Sequence, residues 1–343
     1  MIDTDAERLD YARQAVEHAY AKGWTDGLPV VPVTASALAE FLAAAGRPGD
    51  EIVAAVPHLN RLCTVEQLAV NAAMAGCRPE YMPVVLATWE ALMAQRVVTG
   101  GAWQSTSSPA PLIVVNGPIR AALGINSAGG VLGPGFRANA TIARTVGLVV
   151  RNVFGIRPHQ LDQSTQGVPG RFTLCIGENE EESPWEPLSV ECGLTPGTDA
   201  VSALLLRTCE FVDNRHTTKA EHVLWDIGDT VARTGAAIGS RSSAGLVLGV
   251  EHAQLLAKAG FGKADVQQWL YERAVRSAAD LTRAGKSSRV ENGDGEPVRL
   301  VTDPAQIPVI VAGAANAAMS MVVRPFGFSG WSRTAHPVRP AAG

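Results

Sequence analysis

The chain has 343 residues, 46% of them hydrophobic and 18% charged, with a formal net charge of −4. That apolar content supplies a full core for one large domain or two lobes. The mild negative charge, with no basic stripe, argues against nucleic acid as a partner. No uninterrupted apolar run reaches the roughly 18 residues of a membrane span, so no membrane role is expected.

Helical periodicity runs from Asp5 to Ala21. The acidic start, with Asp3, Asp5, Glu7 and Asp10, does not read as a signal peptide. A turn-rich elbow follows at Gly23-Trp24-Thr25-Asp26-Gly27-Leu28-Pro29, then a short predicted strand at Val30–Val33. Thr34 is placed to cap a helix over Ala35–Ala45 that Gly46 ends, and Thr64 opens another that runs to Gly76. Pro79 starts the next, to about Gln95. Leu112–Asn116 reads as a strand buried on both faces. The Gly-rich loop Gly129–Gly135 feeds a helix over Asn139–Val153, and a strand is predicted at Phe172–Ile176.

Further on, Val201–Phe211 reads as a strand and Ala220–Arg233 as a helix. Gly245–Val250 is a strand running into the helix His252–Ala259. Lys263–Ala279 is a helix, Lys286–Pro297 a mobile loop and Val309–Ala312 a last strand. The alternation predicts an α/β fold with mainly parallel or mixed sheets and flanking helices. A boundary near Gly193–Thr198 divides it into lobes 1–196 and 197–343. Pro111–Ala121 and Ala244–Ala253 share an outline of strand, tight turn and helix start, a match too short to define a repeat.

The Gly-rich loop is the most suggestive motif. Glycines let a ligand approach the backbone, and the following helix start favours an anion. Arg137, Arg144 and Arg151 follow at intervals of seven, on nearly one face. The glycine spacing fits neither a Walker loop nor a dinucleotide fingerprint. The loop is equally well read as a tight connection with solvated arginines. Asn116, Asn126, Asn139, Thr106, Ser107 and Asp26 complete the candidate substrate-binding set with Arg137 and Arg144.

Cys77 is the candidate nucleophile. It precedes a predicted helix start and stands beside Arg78, a setting that lowers a thiol pKa. It can equally be a small apolar filler at a helix junction. Glu178, beyond a strand in Glu178-Asn179-Glu180-Glu181-Glu182, is a candidate general acid or base, as are His216 and His252. The five cysteines are scattered, with no CxxC pair, and no HExxH occurs, so no metal site is assigned. A site assembled from Glu178, Glu180 and histidines around a divalent ion stays open as an alternative. Free thiols and the absence of a leader pattern imply the cytoplasm. The sequence specifies no cofactor.

Several segments together resemble a poorly characterised bacterial family associated with UGSC-type (seleno)proteins. They are Trp24–Val30, Thr64-Val65-Glu66 with Asn71-Ala72, Met74–Tyr81, Val115–Ile119, Gly133-Pro134-Gly135 with Arg137-Ala138-Asn139, Glu178-Asn179-Glu180, Ser183-Pro184-Trp185 and Gly249–His252. The resemblance spans residues 24 to about 273. The associated selenoprotein motif is similar to the redox-active segment of glycine-reductase-type enzymes, which cleave a carbon–heteroatom bond. It implies a thiol role for Cys77 and, because this chain carries no Cys-Gly-Ser-Cys, a redox pair that either comes from a (seleno)protein partner or is absent. Ala314-Ala315-Asn316-Ala317 departs from the more Gly-rich turn expected there.

These readings converge on a homo-oligomeric enzyme that acts on a small, polar, anionic substrate and breaks or makes a carbon–heteroatom bond. Its alternatives are a metal-dependent lyase or hydrolase, and a non-catalytic subunit of a redox complex.

Overall fold

The computed structural model describes residues 4–168, 174–238, 241–286, 297–327 and 331–339. In the first part the elements are α1 (Thr4–Ala21), α2 (Ala35–Ala45), β1 (Ile52–Val56), β2 (Arg61–Thr64), α3 (Val65–Ala75), α4 (Met82–Met93) and α5 (Arg96–Thr99). There follow β3 (Ala110–Asn116), α6 (Ile119–Leu123), α7 (Arg137–Asn152), β4 (Cys175–Gly177), α8 (Leu188–Glu191) and β5 (Ala200–Asp213). The second part holds α9 (Ala220–Val231), β6 (Gly245–Leu248), α10 (Val250–Lys258), α11 (Lys263–Arg273), β7 (Val275–Ser277) and α12 (Ala278–Arg283). It ends with β8 (Pro297–Arg299), β9 (Val309–Val311), β10 (Met319–Pro325) and β11 (His336–Pro337).

Local chemistry explains the clearest of these. Thr34 accepts the Ala37 N–H to start α2. Thr64 and Gln67 form a reciprocal capping box on α3. Gly46 and Gly76 take left-handed conformations that end the two helices. Every residue of β3 is buried, as a strand covered on both faces must be.

Elsewhere the structure corrects the sequence reading. Val30–Val33 forms no strand, because Pro29 and Pro32 remove ladder donors; Val31 N–H instead donates to the Met74 carbonyl. Pro79–Tyr81 is a 3₁₀ turn, and α4 starts after it. The helix from Lys263 stops at Arg273, and Val275–Ser277 pairs with Pro297–Arg299. The tail after Trp331, whose sequence reads as loose, is held where His336 and Pro337 pair with β5. Phe172 and Thr173, in a predicted strand, and 287–296, in the predicted mobile loop, lie outside the described residues.

One mixed sheet organises the chain. Six strands run in the order β4-β3-β5-β10-β6-β9, with β11 added on β5. β3 and β4 are parallel, as are β6 and β9; the pairings β3–β5, β5–β10 and β10–β6 are antiparallel. The order reads as one three-strand unit facing its own copy. In each, a strand leads through helices to a parallel neighbour, and a third strand returns antiparallel to the first. The registers match too: Ile113 pairs Cys175 and Ala203, while Leu246 pairs Val309 and Val322. Glu178 N–H donates to Val115 O at 3.1 Å and Ala312 N–H to Leu248 O at 3.0 Å, which repeats one bond in both units. The two segments whose outline matched in the sequence hold equivalent places in this repeat.

The sheet curls until its ends meet. Asn179 N–H donates to Val311 O at 2.8 Å, so the carboxyl ends of β4 and β9 touch. One hydrophobic cluster packs α2–α4 and α7 on β3 and β5; another packs α9–α11 on β6 and β9. A third, including Leu112, Ile176, Leu204, Val247 and Ile310, lines the inner side of the curl and joins the two units. The sheet passes the 196/197 position unbroken. No helix among the described residues is long and apolar enough to cross a membrane.

Candidate functional site

The proposed site residues fall into separate places. Asn116 and Glu178 lie where strand ends of the two units meet. Glu178 is fully buried, and its carboxylate accepts from Asn116 Nδ2 (2.8 Å), Leu188 N–H (2.7 Å) and Lys263 Nζ (3.4 Å). Lys263 comes from α11 of the second unit and also reaches Glu191 at 3.3 Å. Arg120 ties Glu180 and Glu181 to the same corner, at 3.3 and 2.9 Å. Both amide hydrogens of Asn116 go to Glu178 and Glu180, and its Oδ1 is buried without a partner among the described residues. The corner is a filled ionic strut between the units, and its members face one another.

Asn126 and Asn139 brace the Gly-rich loop. Asn139 accepts Asn126 N–H and donates to the carbonyls of Asn126 and Cys175, while Asn126 donates to Gly129 O and accepts Ala128 N–H. Both amides are spent on the loop's shape. Thr106 and Ser107 lie in the loop before β3: Thr106 O accepts Thr165 N–H, and Ser107 N–H donates to Ser105 Oγ.

Cys77 departs from expectation. It is buried in the first core cluster, 3.4 Å from the Thr145 hydroxyl. Burial pushes its pKa up, outweighing the hydrogen bonds from Thr141 and Thr145 and the charge of Arg137. The lowered pKa read from its position before a helix is therefore reversed: the thiol faces the core, and Arg137 spends its guanidinium on the carbonyls of Gly76 and Cys77.

His252, on α10, reaches the turn after β5 that also carries His216. Because Asn214 O can only accept, Nε2 of His252 carries the proton. Ser320 then donates to Nδ1 (2.7 Å) and accepts Gly249 N–H. Burial lowers the His252 pKa, favouring this neutral ring. His216 is exposed.

Asp26 and Arg144 do open onto space. Arg144 grips Asp26 with two bonds, at 2.9 and 2.8 Å, and donates also to Leu28 O and Pro29 O. This pair edges a cavity of about 180 Å³ between the elbow and α7. Gly147 and Arg151, three and seven residues beyond Arg144, line the same cavity, as the helical period requires. Trp103, Val150 and Ile156 supply its apolar wall and Asp162 a second carboxylate. The volume lies below the ~300–1,000 Å³ of drug-sized pockets, so it suits a small occupant.

Arg151 is the unusual member. It makes one hydrogen bond, to Gly23 O at 3.3 Å, and no ion pair among the described residues. Burial lowers its pKa, repulsion from Arg157 lowers it further, and Asp26 only partly opposes them. It was visible in the sequence as the third arginine of the seven-residue series. Nothing local pointed to Asp162, Lys263 or Trp103. Asp162 accepts from the Ser164 N–H at 3.1 Å and from its hydroxyl.

Among the described residues, no three His, Cys, Asp or Glu side chains group as metal ligands. Comparison with protein-family models, with curated proteins and with solved structures found no match.

Proposed function

We propose that this protein is an enzyme that takes a small anionic substrate into the cavity beside α7. There it breaks or makes a carbon–heteroatom bond by proton transfer. The observation that carries this reading is Arg151: a half-buried guanidinium that lines a small cavity with no carboxylate paired to it among the described residues. A desolvated cation that a neighbouring carboxylate only partly compensates is costly, and a bound carboxylate or phosphate offsets that cost with charge-assisted bonds. Arg144 is already satisfied by Asp26, so that pair shapes the rim. Asp162, buried and positioned by Ser164, is the candidate base.

Gly147 supports the same reading. A glycine inside a helix costs about 1 kcal/mol against alanine. Nothing lies within 4 Å of where its Cβ would stand, so close packing does not require it. Its absent side chain leaves the cavity open.

Titration calorimetry with short hydroxy-, amino- and dicarboxylates and with inorganic phosphate tests the proposal. At least one anion should bind, and Arg151→Gln should weaken it on the order of tenfold or more. Gly147→Leu should abolish binding while the fold persists. For an anion that is turned over, Asp162→Asn should lower kcat on the order of a hundredfold with KM little changed. If no anion binds, or if Arg151→Gln binds as well as wild type, the reading fails.

A further inference from the structure

A larger cavity, of about 700 Å³, lies across the Gly23–Trp24 elbow from the first, beneath α1. Its floor is apolar: Val30 and Met74 belong to a small satellite cluster with Ala19, Ala75 and Leu148, and Val33 and Val70 pack against it. Trp24, 45% exposed and set edge-on to His18, stands in its lining. One guanidinium, that of Arg157, lines it. Arg157 makes no side-chain hydrogen bond or ion pair among the described residues, although it lies close enough to Arg151 to depress that residue's pKa. Two neighbouring arginines thus line one cavity each, with no carboxylate bound to either among the described residues.

We infer that this second cavity binds an amphiphilic monocarboxylate, a medium-length aliphatic acid whose tail lies on the Val30–Met74 floor and whose carboxylate meets Arg157. Three observations on independent grounds lead there. The floor at Val30, Val33, Val70 and Met74 is apolar and gives an aliphatic tail its contact, while Asn71 and Asn152 beside it are bonded to each other. The volume falls within the range of pockets that enclose most of a small organic ligand. The lone guanidinium presents paired N–H donors that match a carboxylate's two oxygens, and the charge of Arg151 adds to its pull. The inference does not rest on catalysis in the first cavity.

Titration calorimetry on the full chain with acetate, butanoate, hexanoate, octanoate and octan-1-ol is the test. Affinity should rise along the acids, by roughly fourfold in Kd per methylene while the chain still fits. Octan-1-ol should bind at least tenfold more weakly than octanoate. Arg157→Gln should weaken octanoate on the order of tenfold or more, and the variant should fold normally because this side chain holds nothing else among the described residues. Arg151→Gln should retain most of the affinity. Equal affinity for acetate and octanoate, no octanoate binding, or unchanged binding in Arg157→Gln would each overturn the inference. So would loss of binding in Arg151→Gln alone, which would place the acid in the first cavity.

Discussion

Asn116 stands at the carboxyl end of β3 and Glu178 just past β4; the matching places after β6 and β9 hold Gly249 and Ala312. The two units share pairing, register and the extra strand-end hydrogen bond, yet one ends in amide and carboxylate and the other in glycine and alanine. The first unit carries the polar equipment, and the second contributes a counter-ion, Lys263, that reaches across to it. Repeated backbone geometry therefore does not imply repeated chemistry. Backbone bonds set the frame, and each strand end is free to carry a polar group or to pack closely.

The largest expected effect comes from cutting the link between the units. Lys263 is 8% exposed and Glu178 fully buried. Lys263→Met leaves the carboxylate with its neutral donors but no cation, and should lower stability by about 3–5 kcal/mol in urea unfolding. Adding Glu178→Gln to that variant should recover a sizeable part, because a neutral amide needs no counter-ion. If Lys263→Met costs under about 1 kcal/mol, the strut is not what joins the units.

Next comes the counterpart of Asn116. A Cβ on Gly249 would stand 2.2 Å from the Met319 carbonyl oxygen, where a backbone atom must move. Gly249→Ala should cost about 1–3 kcal/mol by overpacking. A neutral result would mean that the second unit tolerates a side chain where the first carries Asn116, and the contrast would weaken.

A smaller effect is expected from pH. Burial lowers the pKa of His252 in the fold, against weaker opposing pulls from Asn214 O, Glu251, Asp226 and Asp213. The unfolded chain keeps the ordinary value near 6.5. With the folded pKa the lower of the two, the stability this ring contributes is complete above the unfolded pKa. It is lost as pH falls through the folded one. His336 is shifted the same way, again first by burial, and adds to the trend. Urea midpoints at about pH 7.5 and about pH 5.5 should show a fall, and His252→Gln should make it shallower. An unchanged slope in that variant would deny His252 its part.

These comparisons also show what the sequence could disclose. α2, α3 and β3 were legible because caps and an unbroken apolar run are local signals. The arginine series on α7 was legible because a helix repeats one face every seven residues, and Arg144 and Arg151 do share a cavity. β10 was missed because Met319-Ser320-Met321 gives a weak strand pattern, and it pairs with residues more than a hundred positions earlier. The grip of Arg144 on Asp26 spans 118 residues, so both residues were named but not their bond. The repeat showed only as the shared outline of Pro111–Ala121 and Ala244–Ala253, for a similar reason: it resides in backbone pairing, while the side chains at the strand ends differ in kind.

The smallest expected effect tests that last point directly. Cys175 of β4 and Val309 of β9 are equivalent, each paired to the matching residue of its parallel neighbour, Ile113 or Leu246. Both are buried, and burial drives the Cys175 thiol far above its usual range. If the frame asks only for a compact apolar side chain there, Cys175→Val should cost less than about 1.5 kcal/mol. Neutral Cys77 alongside should likewise resist alkylation in the native protein near neutral pH and react only on unfolding, because its pKa is raised by burial. A large penalty at Cys175, or rapid native labelling of Cys77, would show that these thiols do more than fill space. The first unit would then differ from the second in its core as well as at its strand ends.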